Sequence, residues 1–307
     1  VAGEEIMPVA EQAPAGIGAA ASVVLDLTRL LPGPLSARFL VQAGYRVIRI
    51  EGPQGDLLAR VAPAAYRWVN EGKTLRRLNL KTPSGRKKLL ELVATARVLI
   101  ESNRGGVMDR LGLGPEVLRA HNPNLCYVRL AGFRGEDSPG HDLSYLAAAG
   151  LVERFPWERF QFADLSGAFW GALAAFQGMA AGGGFYEVYL CEAAAASAYP
   201  VLPYLDGGVI CYALYPARKG RIALAALEAR LWRALCAALG HESWHDAAFS
   251  PTRAQNPIYR KLGVIFAGRD AVTWENWARD RELPLRAVAE SLPRDSSLRP
   301  PWQRLES

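Results

Sequence analysis

The sequence predicts an α/β protein, with a large domain built on a parallel, doubly wound sheet and a smaller α+β domain after it. Three observations predict this. Short runs rich in Val, Ile and Leu alternate with longer runs of helical periodicity through the first half of the chain. Gly and Pro punctuate them at spacings that suit strand-to-helix connections. Beyond residue 207 the pattern changes to an alternating hairpin followed by helices.

Taken in order, residues 1–20 are rich in Ala, Gly, Glu and Pro without periodicity and are expected to be a flexible lead-in. "SVVLDLTRL" reads as a buried strand, "PLSARFLVQAGY" as a helix stopped at Gly44, and "RVIRIEGP" as a second strand ended by a Gly-Pro breaker. A third strand is expected at "RRLNL". "TPSGRKKLLELVATA" reads as a helix with Thr82 as N-cap and Pro83 in its first turn, and "RVLIES" as the next strand. "GPEVLRAHN" and "LCYVRLAGF" repeat the helix-strand alternation, which places a site at the carboxyl ends of the strands. From about Ala163 to Ala198 the chain reads as alanine-rich helix, broken at Gly182 to Gly184. "VICYALYPARKGRIALAAL" reads as a hairpin turning at Arg218, Lys219 and Gly220; "EARLWRALCAALG" and "TWENWARDR" read as helices. The expected domains are therefore 21–206 (large) and 207–292 (small), with a terminal extension over 293–307.

Composition narrows the function classes. Half of the 307 residues are hydrophobic and 21% charged, as in a soluble globular protein. No run of eighteen uncharged apolar residues occurs, so no membrane span is expected and a cytoplasmic location is. Cys126, Cys191, Cys211 and Cys236 lie far apart in apolar segments and read as reduced core residues rather than metal ligands. The net charge of +6 is spread along the chain without a basic tail, so nucleic acid is not an expected partner.

The common nucleotide, hydrolase and zinc signatures are absent. Three ionisable groups stand out instead: His141 with Asp142 in "SPGHDLSYLAAAG", Asp164 in "FQFADLSGAFW", and Glu228 in "IALAALEARLW". Asp164 and Glu228 have a plain structural explanation as carboxylates opening helices. His141 carries the side chain best suited to proton transfer at neutral pH.

Several segments together are similar to the family III CoA-transferases, and within them to the alpha-methylacyl-CoA racemase branch. The resemblance begins at "VLDLTRLLPGPLSARFLVQAGYRVIRIEGPQGD" and continues through "NEGKTLRRLNLKTPSGRKKLLEL" and "ARVLIESNRGGVMDRLGLGPEVLRAHNPNLCYVRLAGF". "GHDLSYLAAAG", "ADLSGAF", "GGGFYEVYLCEA" and "YALYPARKGRIALAALEARLWRALCAALG" follow in family order, so that about residues 22 to 292 are covered.

The resemblance implies a Rossmann-like large domain, an acyl-CoA substrate along the carboxyl edge of the sheet, no metal or prosthetic group, and an interlocked homodimer. It implies a two-base proton transfer at the α carbon of a 2-methylacyl-CoA by His141 and Asp164. The aspartic acid would be kept protonated by an apolar setting such as Phe162, Phe169 and Trp170, and amides after Asp164 would steady the enolate oxygen. Glu228 would assist from the small domain of the partner chain. Arg49, Lys73 and Arg104 would contact CoA or line the site. Two alternatives stay open: CoA transfer to a free carboxylic acid with Asp164 as nucleophile, and a non-catalytic CoA-binding paralogue.

Overall fold

The computed structural model describes residues 22–152, 161–199 and 207–289. The lead-in expected over residues 1–20 and the extension expected over 293–307 lie outside them, as does the segment just before residue 161. The described residues form two compact units, 22–199 and 207–289.

In the first unit the chain runs β1 (Val23–Leu27), α1 (Pro32–Gln42), β2 (Arg46–Glu51), α2 (Leu58–Val61), α3 (Pro63–Asn70) and β3 (Thr74–Arg77). It continues through α4 (Pro83–Val93), β4 (Ala96–Glu101), α5 (Val107–Arg110), α6 (Pro115–His121) and β5 (Cys126–Ala131). The last elements are α7 (Asp142–Ala148), α8 (Phe162–Ala180), β6 (Gly184–Tyr189) and α9 (Leu190–Ala198). All six strands are parallel, in the order β3-β2-β1-β4-β5-β6. That is the doubly wound order, and the connections diverge on either side of β1 and β4.

Strand alternation builds two cores. Leu25, Ile48, Leu99 and Tyr127 face α4 and α6, packing with Leu89, Val93 and Leu118. Val24, Val47, Val98 and Val128 face α1 and α8, packing with Leu40 and Ala175. Thr82 caps α4 as expected, its hydroxyl accepting the Gly85 N–H at 3.2 Å with Pro83 next in line. The third strand lies earlier than "RRLNL", at Thr74–Arg77; its four residues are exposed at the sheet edge, where no burial pattern marks it.

The triple glycine does more than break a helix. Gly182, Gly183 and Gly184 all take positive φ (81°, 123° and 142°) and turn the chain out of α8 into β6, a strand that sequence periodicity did not reveal. A Cβ at Gly183 would meet the Asn124 backbone at 2.9 Å.

The second unit holds an antiparallel sheet β7-β8-β9: β7 (Tyr212–Pro216), β8 (Arg221–Ala225) and β9 (Leu285–Ala287). The first two form the expected hairpin, with Gly220 at φ 80°. The helices are α10 (Ala229–Ala238), α11 (Pro257–Ala267) and α12 (Ala271–Arg279), with a short 3-10 helix at Glu242–Ala247. Trp232, Phe266 and Trp274 fill the core between them, each indole N–H satisfied by a backbone carbonyl at 2.8 Å. No described helix is long and apolar enough to cross a membrane.

Candidate active site

The carboxyl edge of the parallel sheet opens into a cavity of about 860 Å³. Its walls come from the loops that follow β1, β2, β4 and β5, together with the starts of α7 and α8, all in the first unit. This is the crevice that the strand order creates. His141, Asp164 and Arg104 all face it.

His141 is the N-cap of α7, in extended backbone after the Pro-Gly turn. Ser144 Oγ accepts the His141 N–H at 2.9 Å and donates to the His141 carbonyl at 2.7 Å, fixing the residue at the helix mouth. The next residue, Asp142, reaches across to α8. Its Oδ1 accepts the Asp164 N–H at 2.9 Å, capping a helix whose own N-cap, Gln161, makes no side-chain cap. Asp142 therefore ties the helix that begins with His141 to the helix that carries Asp164.

Asp164 lies in the first turn of α8 rather than at its cap. Burial, and then the negative charge of Asp142, push its carboxyl up to about 7 from the ordinary 3.8. The apolar surroundings are those expected only at Phe162; Phe169 and Trp170 are 60% and 42% exposed. The cluster here is Tyr145, Leu146, Leu151, Ala163, Leu190 and Ala194, with Phe162 packed against it. The expectation that amides after Asp164 steady an oxyanion is corrected as well, because the Leu165 N–H already donates to the Gln161 carbonyl at 3.0 Å, and the Asp164 N–H before it is taken by Asp142.

Tyr145 stands one turn after His141 and lines the same cavity. Its ring packs against Gly132 and Gly140, where an added Cβ would come within 2.7 and 2.5 Å of it. Burial, and then Asp164 and Asp142, push its hydroxyl up to about 12, so it stays a neutral donor. No described residue hydrogen-bonds that hydroxyl.

Arg49 and Lys73 do not line the cavity, and the expectation that they contact CoA is corrected by their burial. Arg49 is 1% exposed and spends its guanidinium on Asp26 (3.1 Å), Glu51 (3.0 Å) and Asp56 (2.6 Å). Lys73 is 4% exposed, its ammonium bound to Asp26 (2.9 Å), the Pro34 carbonyl (2.7 Å) and Asn70 (3.2 Å). Burial alone would raise the Asp26 carboxyl, but Lys73 and Arg49 hold it well below the usual range. At Lys73 burial wins over the attraction of Asp26 and brings the ammonium down to about 8. These groups form a structural ion network behind the cavity wall.

The cations that do face the cavity are Arg29, Arg60, Arg104 and Arg129. Arg129 is held by Glu187 at 2.7 Å, with Glu101 and Asp137 each at 3.8 Å. Arg29, Arg60 and Arg104 pair with no carboxylate among the described residues. The sequence reading missed Arg29 and Arg60, although both follow the first two strands, where a site in a doubly wound sheet is built. Glu228 belongs to the second unit, where it pairs with Arg230 at 2.8 Å, both side chains mostly exposed. It occupies the N-cap position of α10 without capping it.

A 3-2-1-4-5-6 parallel sheet whose carboxyl edge opens into a cavity lined by His141, Asp164 and arginines defines an α/β protein of the doubly wound class. The chain belongs to CoA-transferase family III, whose model matches residues 20–292. It is 37% identical over 146 residues to the "Probable fatty acyl-CoA transferase Rv3272" of Mycobacterium tuberculosis, covering 43% of this chain and 37% of that protein. It is 28% identical over 286 residues to the alpha-methylacyl-CoA racemase of Mus musculus, covering 82% of this chain and 72% of the racemase. The first relative is thus matched over little more than a third of its length. The crystal structure of Rv3272 superposes with a TM-score of 0.79 at 26% identity, covering 91% of this chain and 85% of that one.

Proposed function

We propose that this chain interconverts the 2-epimers of 2-methylacyl-CoA thioesters by moving the α proton between His141 and Asp164. The observation that carries the reading is that both residues face one cavity and are joined through Asp142, with Asp164 raised to about 7. A two-base exchange needs one group that holds a proton and one that lacks it, on opposite faces of the same carbon, with affinities close enough for the roles to reverse. A carboxyl that titrates near neutrality meets that need; an ordinary carboxylate would be fixed in its ionised form. In one direction His141 takes the proton and Asp164 returns one; in the other the roles exchange. Tyr145 is the neutral hydroxyl that can donate to the developing enolate oxygen.

Arg104, with Arg60, supplies the cationic wall for the CoA phosphates. No metal or prosthetic group is part of the proposed mechanism. The partner implied by the resemblance is a second copy of the chain, across which Glu228 would assist. Loss of exchange in Glu228→Ala, together with a dimeric mass in solution, is the expected result for that part.

The test of the reaction is deuterium incorporation at the α carbon of a 2-methylacyl-CoA in heavy water. Wild type should exchange, and His141→Ala and Asp164→Ala should not. A wild type that exchanges nothing would sink the racemase reading. CoA transfer through Asp164 as nucleophile is the second reading, favoured by relatives such as the succinyl-CoA:mesaconate CoA-transferase of Haloarcula marismortui, 34% identical over 149 residues. Transfer to a free acid that survives His141→Ala but not Asp164→Ala would select it. CoA binding without either activity would select the non-catalytic paralogue.

A further inference from the structure

We propose that Arg29 is a ligand-binding residue of this cavity that takes an oxyanion at the point where the strand order reverses, and that Asp56, Ser102 and Asn103 are its positioning residues. The inference rests on the reading of the cavity as an acyl-CoA site.

The chain leaves β1 at Leu27 between its two neighbours β2 and β4, so the residues just beyond sit at the switch point of the sheet. That turn is clamped from both sides. On the β4 side, the Arg29 N–H donates to Ser102 Oγ at 3.2 Å, and Arg29 Nη2 lies 3.5 Å from Asn103 Oδ1. Asn103 is itself fixed, its N–H and its side-chain amide donating to Glu101 at 2.5 and 2.9 Å. On the β2 side, the Leu30 N–H meets both oxygens of Asp56, at 3.0 and 3.3 Å. Asp56 is 3% exposed and is anchored by Arg49 at 2.6 Å.

Leu30 has φ 63°, a left-handed conformation that a residue with a branched side chain adopts only when its surroundings impose it. Here its N–H is held by a buried carboxylate. The buried ion network thus ends in a strained turn whose product is the direction of Arg29.

The head group held by this framework has no acid to meet. Arg129, its neighbour in the cavity, is neutralised by Glu187. Arg29 has a neutral acceptor at the edge of hydrogen-bond range and no carboxylate partner among the described residues. A fixed backbone with an unneutralised planar cation fits a phosphate or a carboxylate, which the guanidinium fork engages through two bonds. The oxyanion has two sources: a phosphate of CoA, or a carboxylate on the acyl group.

Calorimetric titration of wild type, Arg29→Ala and Arg29→Lys with coenzyme A, butyryl-CoA and succinyl-CoA tests the assignment. Arg29 is exposed, so both variants should keep the wild-type Tm. Arg29→Ala should weaken binding about ten- to a hundredfold, the range for a lost bond to a charged group, with Arg29→Lys intermediate. Equal weakening for all three ligands assigns the oxyanion to CoA; weakening confined to succinyl-CoA assigns it to the acyl carboxylate. Unchanged affinity of Arg29→Ala for all three overturns the inference and leaves the acyl-CoA reading standing. A wild type that binds none of them overturns that reading, and this inference with it.

Discussion

Replacing Asp164 with Asn should stabilise the protein at neutral and alkaline pH while abolishing exchange. The sign follows from the direction of its shift. The folded carboxyl titrates at about 7 and the ordinary one at 3.8, so the native state holds this proton more tightly than the unfolded chain does. Its contribution to stability is fully present below about pH 4 and is lost as pH rises through 7. At about 1.36 kcal/mol per pH unit, the interval from 3.8 to about 7 corresponds to about 4 kcal/mol. That is a ceiling, because the first turn of α8 offers a carboxylate some dipole stabilisation. Urea unfolding of wild type and Asp164→Asn at pH 4, 6 and 8 reads the effect, and any constant cost of packing an amide cancels in the comparison across pH. The stability difference should move by about 2–4 kcal/mol in favour of Asn between pH 4 and 8. A difference that does not change with pH would refute both the raised proton affinity and the mechanism that depends on it.

Other expectations follow from the same geometry. Asp142→Asn removes the charge that helps to raise Asp164, so the Asp164 limb of the pH–exchange profile should move to lower pH; a limb that stays in place would contradict the coupling. Gly140→Ala pushes a Cβ to 2.5 Å from the Tyr145 ring and should depress exchange far more than an alanine at Gly135, where no atom lies within 4 Å of an ideal Cβ. Gly135 has φ 69°, so that control should carry only a backbone cost, read as a small fall in Tm. Tyr145→Phe should lower kcat by about tenfold or more with little change in KM if its hydroxyl meets the enolate oxygen. Asp26→Ala strips Arg49 and Lys73 of their shared partner and should cost about 3–5 kcal/mol in urea unfolding.

Where local physics decides, the sequence was readable. Thr82 and Pro83 start a helix by chemistry contained within four residues, and the alternation around Gly220 needs only a turn that glycine permits. The parallel sheet could be read because strands buried on both faces are almost uniformly apolar. β6 could not: "GFYEVY" is partly exposed and follows alanine-rich helix, and only pairing with β5 makes it a strand. The site divides along the same line. His141 and Asp164 announce themselves by residue type and motif, but Arg49 and Lys73 carry the same charge that a ligand contact would. Only tertiary structure shows that Asp26, Glu51 and Asp56 neutralise them inside the fold.

Asp142, which the sequence marks only as the neighbour of His141, shows how tertiary structure assigns such a residue its part. A carboxylate that capped its own helix would leave α7 and α8 joined by apolar packing alone. Here it caps the neighbouring helix, so the Asp164 backbone is pinned to the residue that follows His141. The same carboxylate raises the proton affinity of Asp164 by repulsion. One side chain therefore fixes the position of the Asp164 backbone and adds to the effect of burial on its protonation. The cost of an ionised Asp164 above neutral pH is the energetic trace of that arrangement. Were Asp142 serving only as a structural cap, Asp142→Asn would keep the hydrogen bond and leave the pH dependence of exchange unchanged.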